Sequence, residues 1–424
     1  MTFWPAFLLC ASLTLYLYRF TIGGINLSLF RIVLPAWTAM VCVDVLRGRV
    51  RWSRRYVPLL AILAVLVAIN LIDFAGLAGH PDLRRDIFNH VANLWLLLLV
   101  AIAIDREARL ERLLSAFAWS SLVPAFIAIY ATATRRLPFE SLLRGRGAST
   151  VRTLEYVDGW DQTYQRASGS FHDPNFYGVY LLLVLAVLLF LRTRASASGD
   201  VRGRRAWDAL FAVNVLCLGL TLSRTAFIGF AVVLVAAAWI DVRARRFCLV
   251  AGAGALLIVV LATVLQTTAF HARVAKRDAG GVSASAVEAL EGRVALNTVR
   301  DRYRYMSNGW RVFTAHPLAG AGSASLKKPG LLGATAHMAY LTWLARYGLA
   351  GALIYLAFLL YPLVRLHTAR IDPSYRLLLI PTFAALLVVY LAHDVFMFLE
   401  VQYLFFGLAY AVTLHPFAEQ PKQS

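Results

Sequence analysis

The chain has 424 residues, of which 60% are apolar and only 15% are charged, and its mean hydropathy is +0.65. An average soluble domain carries about 25% charged residues, so this composition excludes an ordinary soluble enzyme and predicts a membrane protein. The net charge is +19, but the arginines lie between apolar runs long enough to cross a bilayer. This placement excludes a nucleic-acid-binding protein and indicates membrane lipids and phosphates as partners.

Apolar segments of about the length that a membrane span requires, roughly 17–25 residues, follow one another along the chain. They are residues 3–18, 24–46, 56–77, 87–104, 113–133, 176–191, 206–222, 225–241, 247–268, 347–364, 376–393 and 398–414. The apolar stretch 206–241 is roughly twice as long as one span requires and is interrupted by Ser223-Arg224. This predicts two helices joined by a tight hairpin, with Arg224 at an interface. The predicted fold class is an all-α polytopic membrane protein with about twelve transmembrane helices. The N-terminus lacks the features of a cleaved signal and is predicted to be a retained first span.

Alternate short loops are dense in arginine, which by the positive-inside rule places these loops and both termini in the cytoplasm. The arginines are Arg47, Arg49, Arg51, Arg54, Arg55, Arg106, Arg109, Arg112, Arg192, Arg194, Arg202, Arg204, Arg205, Arg243, Arg245, Arg246, Arg365, Arg370 and Arg376. Two long basic loops, at about 134–175 and 269–346, then lie on the periplasmic face. Anionic lipid headgroups and a phosphate-bearing substrate are alternative reasons for their charge.

These loops define the predicted organisation. Residues 1–268 contain the first nine spans, and residues 269–346 form a large outward-facing loop or cap. Helical patterns at 282–314 and 335–346 predict that the cap is folded. Residues 347–424 contain the last three spans and a cytoplasmic tail.

The sequence contains no pattern typical of a metal site or a disulfide. The cysteines, Cys10, Cys42, Cys217 and Cys248, lie in apolar runs without metal-ligand spacing and are predicted to be packing residues. The chain lacks DxD, HExxH and P-loop motifs, and the first outward loop, from Arg19 to about Asn26, contains no acid. We therefore expect neither a metal nor a cofactor.

Basic residues approach the predicted outward face at two places before the large loop. Arg166 precedes Asp173 and Pro174, which suit the N-cap and first turn of a helix. A helix N-terminus with an arginine upstream is a natural anion site, and an ordinary helix start is the alternative. Arg224 is a charge at membrane depth and therefore a functional candidate, although an arginine that extends to the headgroups is the alternative.

The large loop supplies a further basic cluster ahead of the segment Pro317–Gly322. Its arginines are Arg300, Arg302, Arg304 and Arg311. His337 follows at the outer end of an apolar helix, and a histidine with an unperturbed pKa of about 6.5 is able to accept a proton at neutral pH. A purely structural histidine is the alternative. If the leaving group is a diphosphate, arginines neutralise its charge and only the attacking hydroxyl needs a base.

At these residues the chain resembles the O-antigen ligase family, within a wider group that includes O-antigen polymerases and protein O-oligosaccharyltransferases. The resemblance covers roughly residues 160–360 and the plan of twelve spans with a large outward loop between the ninth and tenth. The stretches that carry it are Arg166…Gly169-Ser170-Phe171…Pro174-Asn175, Ser223-Arg224, Arg302 ahead of Pro317…Gly320…Gly322, and His337 with Gly348 eleven residues later. Met338 departs from the pattern, because the family has Asn, Ser or Gln at that position.

The resemblance implies a GT-C-like fold and an inverting glycosyltransferase of the Gram-negative inner membrane, with a periplasmic active site. Such an enzyme transfers a glycan from undecaprenyl diphosphate to lipid A–core oligosaccharide without metal, cofactor or nucleotide. It implies that His337 is the general base and that Arg224 and Arg302 bind the diphosphate. Arg166 is a third candidate ligand, and Arg304 is the alternative to Arg302.

His393 and Asp394, ahead of the last span, are candidates to orient the acceptor or His337. A polymerase of the same group, with a lipid-linked acceptor, is the nearest alternative function, and a protein O-oligosaccharyltransferase is a further one. A lipid or polysaccharide transporter is the alternative from another class, but it predicts polar residues at mid-membrane, often in paired repeats. The charge of this chain gathers at the outer face, which favours interfacial chemistry.

Overall fold

The structure is a computed structural model that describes residues 3–15, 19–22, 25–50, 54–134, 166–171, 173–278, 302–327, 335–368, 374–394, 396 and 399–415. Helices make up most of these residues, so the predicted helical fold is confirmed. In chain order they are α1 (Phe3–Thr14), α2 (Leu29–Leu46), α3 (Val57–Ala75), α4 (Pro81–Ala103), α5 (Glu107–Ser120), α6 (Leu122–Thr134), α7 (Pro174–Ala197), α8 (Val201–Thr221), α9 (Arg224–Ile240), α10 (Val242–Asp278), α11 (302–315), α12 (Ala339–Thr368), α13 (Ser374–Tyr390) and α14 (Glu400–Leu414).

The first predicted outward loop forms a short β-hairpin. β1 (Arg19–Ile22) pairs antiparallel with β2 (Ile25–Ser28), and Arg19 lies opposite Ser28. The sequence between the strands is Gly-Gly, a dipeptide typical of two-residue hairpin turns. Hence α2 begins at Leu29, five residues later than the predicted second span at 24–46.

Several helices are long and apolar enough to cross a membrane, which confirms a polytopic membrane protein. Seven such segments lie within the described residues: Leu29–Leu46, Arg54–Ala75, Pro81–Ala103, Glu107–Thr134, Pro174–Ala197, Val242–Leu261 and Ala339–Thr368. The shorter apolar helices α1, α9, α13 and α14, together with α8, coincide with the remaining predicted spans. The total of about twelve spans stays a prediction.

Helix α7 forms the centre of the molecule. Its apolar window is 89% buried, against 17% for α2 and for the apolar part of α10. It packs against α5, α8, α9, α13 and α14. A helix that is apolar on every side must be enclosed by protein or by lipid. Other helices enclose α7, whereas α2 and α10 present most of their surface to the surroundings.

Three local predictions have informative outcomes. The hairpin at Ser223-Arg224 is confirmed, because α8 ends at Thr221 and α9 begins at Arg224. The predicted span 113–133 lies within the apolar segment Glu107–Thr134, which consists of two helices that meet at Ser121, ahead of a proline whose ring disrupts the helical hydrogen bonds. In the cap, residues 302–315 are helical, whereas 282–301 and most of the loop 134–175 lie outside the described residues.

Two ends of the helical bundle differ in character. At one end, Arg194 near the end of α7 forms ion pairs with Glu107 (2.7 Å) and Glu111 (3.0 Å) of α5. Tyr375 at the start of α13 also donates to Glu107 (3.1 Å). The arginines near the ends of α7 and α12 and at the start of α10 belong to this end. The starts of α7, α9, α12 and α14 lie at the other end, which we call the site end.

The described cysteines are all free thiols. Cys10, Cys217 and Cys248 are buried in the helical core, as expected of packing residues. Cys42 is exposed, so the packing prediction was wrong at this position. It lies on α2, one of the helices that are least covered by other helices.

Candidate functional site

The starts of α7 and α9 are joined by side chains at the site end. Asp173 accepts a hydrogen bond from the Asn175 backbone N (2.6 Å), which makes Asp173 the N-cap of α7 as predicted. The Asn175 Oδ1 atom accepts hydrogen bonds from Ser223 Oγ (2.7 Å) and from Arg166 Nη2 (3.0 Å). The two helices approach closely, because a Cβ on Gly178 would be 2.6 Å from the Cβ of Ala226.

Arg166 also holds the end of α8. Its Nε donates to the Thr221 carbonyl (2.8 Å), one of the terminal carbonyls that have no partner within their own helix. The neighbouring Ala167 N donates to the Leu220 carbonyl (2.9 Å). We call Arg166, Asn175, Thr221 and Ser223 the side-chain clamp. Much of the hydrogen-bonding capacity of Arg166 is therefore used to join α7, α8 and α9.

Arg224 has a different environment. It is the first residue of α9, directly after the cap Ser223, and its side chain is exposed. It forms no hydrogen bond or ion pair with the other residues that the structure describes. The positive end of the α9 dipole and the Arg224 guanidinium thus lie at the same point, which favours an anion there.

A second clamp, made of backbone atoms, lies where α12 is broken at Gly348. The backbone of Gly348 has φ 65° and ψ −170°, which is not helical. The Ala321 N donates to the Ala345 carbonyl (3.0 Å), and the Gly322 N donates to the Arg346 carbonyl (3.0 Å). On the other side of the break, the Leu349 N donates to the Pro317 carbonyl (2.8 Å).

Glycine is required at this contact for two reasons. Gly320 and Gly348 both have positive φ values, of 74° and 65°. A Cβ on Gly348 would overlap the Leu318 carbonyl, and a Cβ on Gly320 would overlap the Arg346 carbonyl. We call residues 317–322 and 345–350 the backbone clamp. The backbone clamp explains why the motif has glycine both in the loop, at Gly320, and eleven residues after His337, at Gly348.

His337 lies just before α12 and has a left-handed backbone, with φ 56°. This conformation costs a non-glycine residue roughly 1–2 kcal/mol, so the surrounding contacts must hold it. The His337 N donates to Thr335 Oγ1 (3.1 Å), and Thr335 donates to Asp394 Oδ2 (2.6 Å). The imidazole packs edge-on against the Tyr305 ring, with 4.2 Å between the ring centroids.

His393 and Asp394 are both buried in the turn that follows α13. The rings of His393 and His337 are 6.4 Å apart. Burial lowers the pKa of His393 to about 4; the charge of Asp173 opposes this shift, and those of Arg302, His337 and Arg166 add to it. His393 is therefore neutral at neutral pH. Within the described residues, His393 Nε2 and Asp394 Oδ1 have no hydrogen-bond partner.

Helix α11 brings Arg302 to this group. Tyr305 is buried, and Gly309, one turn later, lies so close to the His337 segment that a Cβ on it would be 2.7 Å from the Ala336 Cβ. Arg302 is exposed and acts electrostatically on His393, yet it forms no hydrogen bond or ion pair with another described residue. Arg304 is also exposed.

The structure thus gathers residues that are far apart in the sequence. The charges of His337, Arg302 and Arg166 all act on His393, and the side-chain clamp that contains Arg166 leads to Arg224. Thr335 and Tyr305 were missed from the sequence, because their contacts with Asp394 and His337 depend on the fold. Arg346 was also missed, although a charge between apolar residues was a signal. No group of three or more His, Cys, Asp or Glu residues in the described part of the chain is arranged to hold a metal ion.

Comparison with known proteins agrees with the motifs. Residues 209–356 match the family described as O-Antigen ligase. This range includes Arg224, Arg302, Arg304 and His337, whereas Arg166, His393 and Asp394 lie outside it. No curated protein matches the chain. The predicted resemblance to the O-antigen ligase family is therefore confirmed over residues 209–356.

Proposed function

We propose that this protein is an O-antigen ligase, which transfers a glycan from undecaprenyl diphosphate to a sugar hydroxyl of lipid A–core oligosaccharide. The observation that supports this proposal most is that two exposed cations, Arg224 and Arg302, lie at the same end of the bundle as His337. A phosphate-rich donor needs such cations, and a hydroxyl acceptor needs a base beside them.

The orientation in the membrane follows from the charge of the two ends. The arginine-rich loops lie opposite the site end, and such loops favour the cytoplasm. The site is accordingly periplasmic in our proposal, with both termini cytoplasmic. The protein then has about twelve spans in the inner membrane and a GT-C-like fold, with the helix α11 and the His337 segment as parts of a periplasmic cap.

The donor diphosphate is bound by Arg224 and Arg302 in this proposal. Both side chains are exposed and carry no hydrogen bond within the described residues, so their N–H groups are available for phosphate oxygens. Arg166 contributes its charge from the side-chain clamp and positions the start of α9. Arg304 is the alternative to Arg302, but Arg302 is favoured because its charge helps to lower the pKa of His393.

The proposed reaction is a single displacement. The acceptor hydroxyl oxygen attacks the anomeric carbon, and the bond between this carbon and the diphosphate oxygen breaks with its electron pair left on undecaprenyl diphosphate. The hydroxyl proton passes to the neutral imidazole of His337. Attack from the opposite face inverts the anomeric configuration. A diphosphate is a stable anion, so arginines suffice to neutralise it and neither a general acid nor a metal is required.

His393 and Asp394 complete the acceptor side of the proposal. Asp394 holds Thr335, which in turn binds the backbone of His337, so Asp394 orients the base. His393 is neutral and close to the base. It therefore places no positive charge beside His337 that would oppose the transfer of the hydroxyl proton to His337. Both residues therefore act on the geometry of the acceptor hydroxyl and of His337.

A reconstitution with purified components tests this function. The protein is mixed with undecaprenyl-diphosphate-linked glycan and lipid A–core in excess EDTA, and the mass of lipid A–core is measured. We expect the mass of lipid A–core to increase. The rate at which this product forms should fall by about 100-fold or more in His337→Ala, because general base catalysis contributes on that order. His367→Ala is the matched control, since His367 is exposed at the opposite end of α12 and should leave the transfer unchanged.

Other products would indicate other functions. Longer glycans on the lipid carrier, with lipid A–core unchanged, would identify a polymerase. The absence of any covalent product from folded protein and authentic substrates would favour a transporter. Loss of transfer in EDTA that Mg²⁺ restores would contradict the metal-free step. Between the two loop arginines, we expect Arg302→Gln to raise the donor KM by about tenfold and Arg304→Gln to change it little.

A further inference from the structure

A chain of hydrogen bonds between buried polar side chains joins four helices beside the break in α12. Its members are Asn70 of α3, His90 of α4, Tyr355 of α12 and Tyr403 of α14, and all four are fully buried. Asn70 Nδ2 donates to the Leu66 carbonyl (2.7 Å), which orients the amide, and to Tyr355 Oη (3.0 Å). The ring of His90 lies between the two tyrosines: its Nε2 is 3.1 Å from Tyr355 Oη, and its Nδ1 is 2.9 Å from Tyr403 Oη.

The direction of each hydrogen bond follows from the single proton that each tyrosine hydroxyl carries. Tyr403 donates this proton to the Phe396 carbonyl (3.0 Å), so its oxygen must accept from His90 Nδ1. Tyr355 accepts from Asn70, so its own proton goes to His90 Nε2. His90 is therefore a neutral imidazole with its proton on Nδ1, and each of its two nitrogens has a fixed role.

One end of this chain reaches the backbone clamp. Tyr347 directly precedes Gly348, and its hydroxyl donates to Asn70 Oδ1 (3.2 Å). Tyr355 follows Gly348 by two turns and is bonded to the same amide of Asn70. The backbone at Gly348 is not helical, so contacts with the surroundings must set the angle between the two parts of α12. Asn70 supplies such contacts on both sides of the break.

The other end of the chain reaches the turn that carries His393 and Asp394. The Phe396 carbonyl, two residues after Asp394, accepts from Tyr403 Oη and also from Gln402 Nε2 (2.9 Å). Both acceptor sites of this carbonyl are thus used by α14. Asp394 in turn accepts from Thr335 (2.6 Å), the residue that binds the backbone of the general base.

We propose that His90 is a positioning residue for the transfer reaction: its two ring nitrogens join the break at Gly348 to the turn that carries Asp394, and thereby hold His337 in place. This inference rests on the proposed function, because His337 is the base only in that reaction. His90 is buried, touches no reacting atom and acts through Tyr403. An apolar ring of the same size would fill its space but would disconnect the two ends of the chain.

Two tyrosines of α14 provide a matched pair of variants. Tyr403→Phe removes the acceptor of His90 and the donor to the Phe396 carbonyl, whereas Tyr410→Phe removes a hydrogen bond from an equally buried tyrosine to the Phe358 carbonyl (2.8 Å). Both should lower the unfolding temperature. We expect only Tyr403→Phe to lower kcat, by about tenfold, with the donor KM changed less than about threefold, because the chain leads to the base and not to the arginines that bind the diphosphate. Equal kcat values in the two folded variants would overturn the inference.

Substitutions of His90 test the roles of its nitrogens. His90→Phe retains a planar ring without hydrogen bonds, and kcat should fall at least as far as in Tyr403→Phe. His90→Asn keeps an N–H donor on the side of Nδ1 and should retain more of kcat than His90→Phe. A kcat no higher for asparagine than for phenylalanine would contradict the role assigned to Nδ1.

The unfolding temperature in detergent provides a readout that does not depend on transfer. If His90 and Tyr403 act as one unit, Tyr403→Phe should lower this temperature less in the His90→Phe background than in the wild type, because the bond between them is already lost. Strictly additive effects of the two substitutions would contradict the proposed chain. A wild type without transfer activity would refute the proposed function, and the additivity of the unfolding temperatures would still show whether the two residues are coupled.

Discussion

The two clamps perform the same task by different means. The side-chain clamp joins α7, α8 and α9 through Arg166, Asn175 and Ser223, whose polar side chains make the hydrogen bonds. The backbone clamp joins a loop to the break in α12 through amides and carbonyls, and its glycines only make room. A contact between side chains can be replaced by other polar groups, whereas the contact between backbones leaves no room for a Cβ at Gly320 or Gly348.

This difference decides what substitution does at each place. In the side-chain clamp, the loss of one acceptor removes one or two hydrogen bonds of about 1 kcal/mol each and leaves the helices in contact. In the backbone clamp, one added methyl group separates two segments and removes several hydrogen bonds together. We therefore expect a graded response in the first region and an abrupt one in the second.

The largest effect is expected for Gly348→Ala. The left-handed backbone costs alanine roughly 1–2 kcal/mol, and overlap with the Leu318 carbonyl adds the loss of the clamp, for a total of about 3 kcal/mol or more. The measurement is the unfolding temperature in detergent together with transfer activity. Gly254→Ala in α10 is the control, because no atom lies within 4 Å of the added Cβ. Equal stability of the two variants would mean that the break does not need glycine.

An intermediate effect is expected for Asn175→Ala. The substitution removes the oxygen that accepts from Ser223 and Arg166 and should cost about 1–3 kcal/mol, because two donors lose their partner. Asn175→Asp keeps an acceptor at the same position and should cost clearly less. Chemical or thermal unfolding of both variants measures the difference. If alanine and aspartate destabilise equally, the Asn175 oxygen does not hold the clamp.

The smallest effect concerns His393, whose pKa is affected by Arg166 of the side-chain clamp. Its pKa is lowered to about 4 in the fold, while an unfolded histidine has a pKa of about 6.5. The unfolded state therefore binds more protons between these values, and stability is lost as the pH falls. From pH 6.5 to 5.5 the loss from this group should be about 1 kcal/mol. His393→Gln should reduce the pH dependence of the unfolding temperature in this window by the same amount.

Local signals in the sequence predicted much of this fold. The length of apolar runs placed most of the helices, and Asp173-Pro174 and Ser223-Arg224 predicted the starts of α7 and α9 within a residue or two, because capping depends on neighbouring residues. The β-hairpin at 19–28 was not predicted, although Gly-Gly between its strands was a signal, because each strand is only four residues long and residues 24–28 were assigned to the second span.

The candidate site was predictable only in part. Arg224, Arg302 and His337 were named from chemistry and resemblance, and their catalytic and binding roles stay predictions. The break at Gly348 looked like an ordinary glycine in an apolar helix, because its cause is a loop that starts 31 residues earlier at Pro317. The hydrogen bonds from Thr335 to Asp394 and from Ser323 to Asp73 connect segments that are distant in the sequence, so no local sequence pattern predicts them.

The burial of α7 has a consequence for biosynthesis. A helix this apolar is able to enter the bilayer as soon as it is made, but two of the helices that enclose it, α13 and α14, are the last ones in the described chain. His393 and Asp394 lie between these two helices. A nascent chain that still lacks its last two helices therefore lacks the Asp394 carboxylate that binds Thr335, so the His337 segment gains this contact only after α13 has been made.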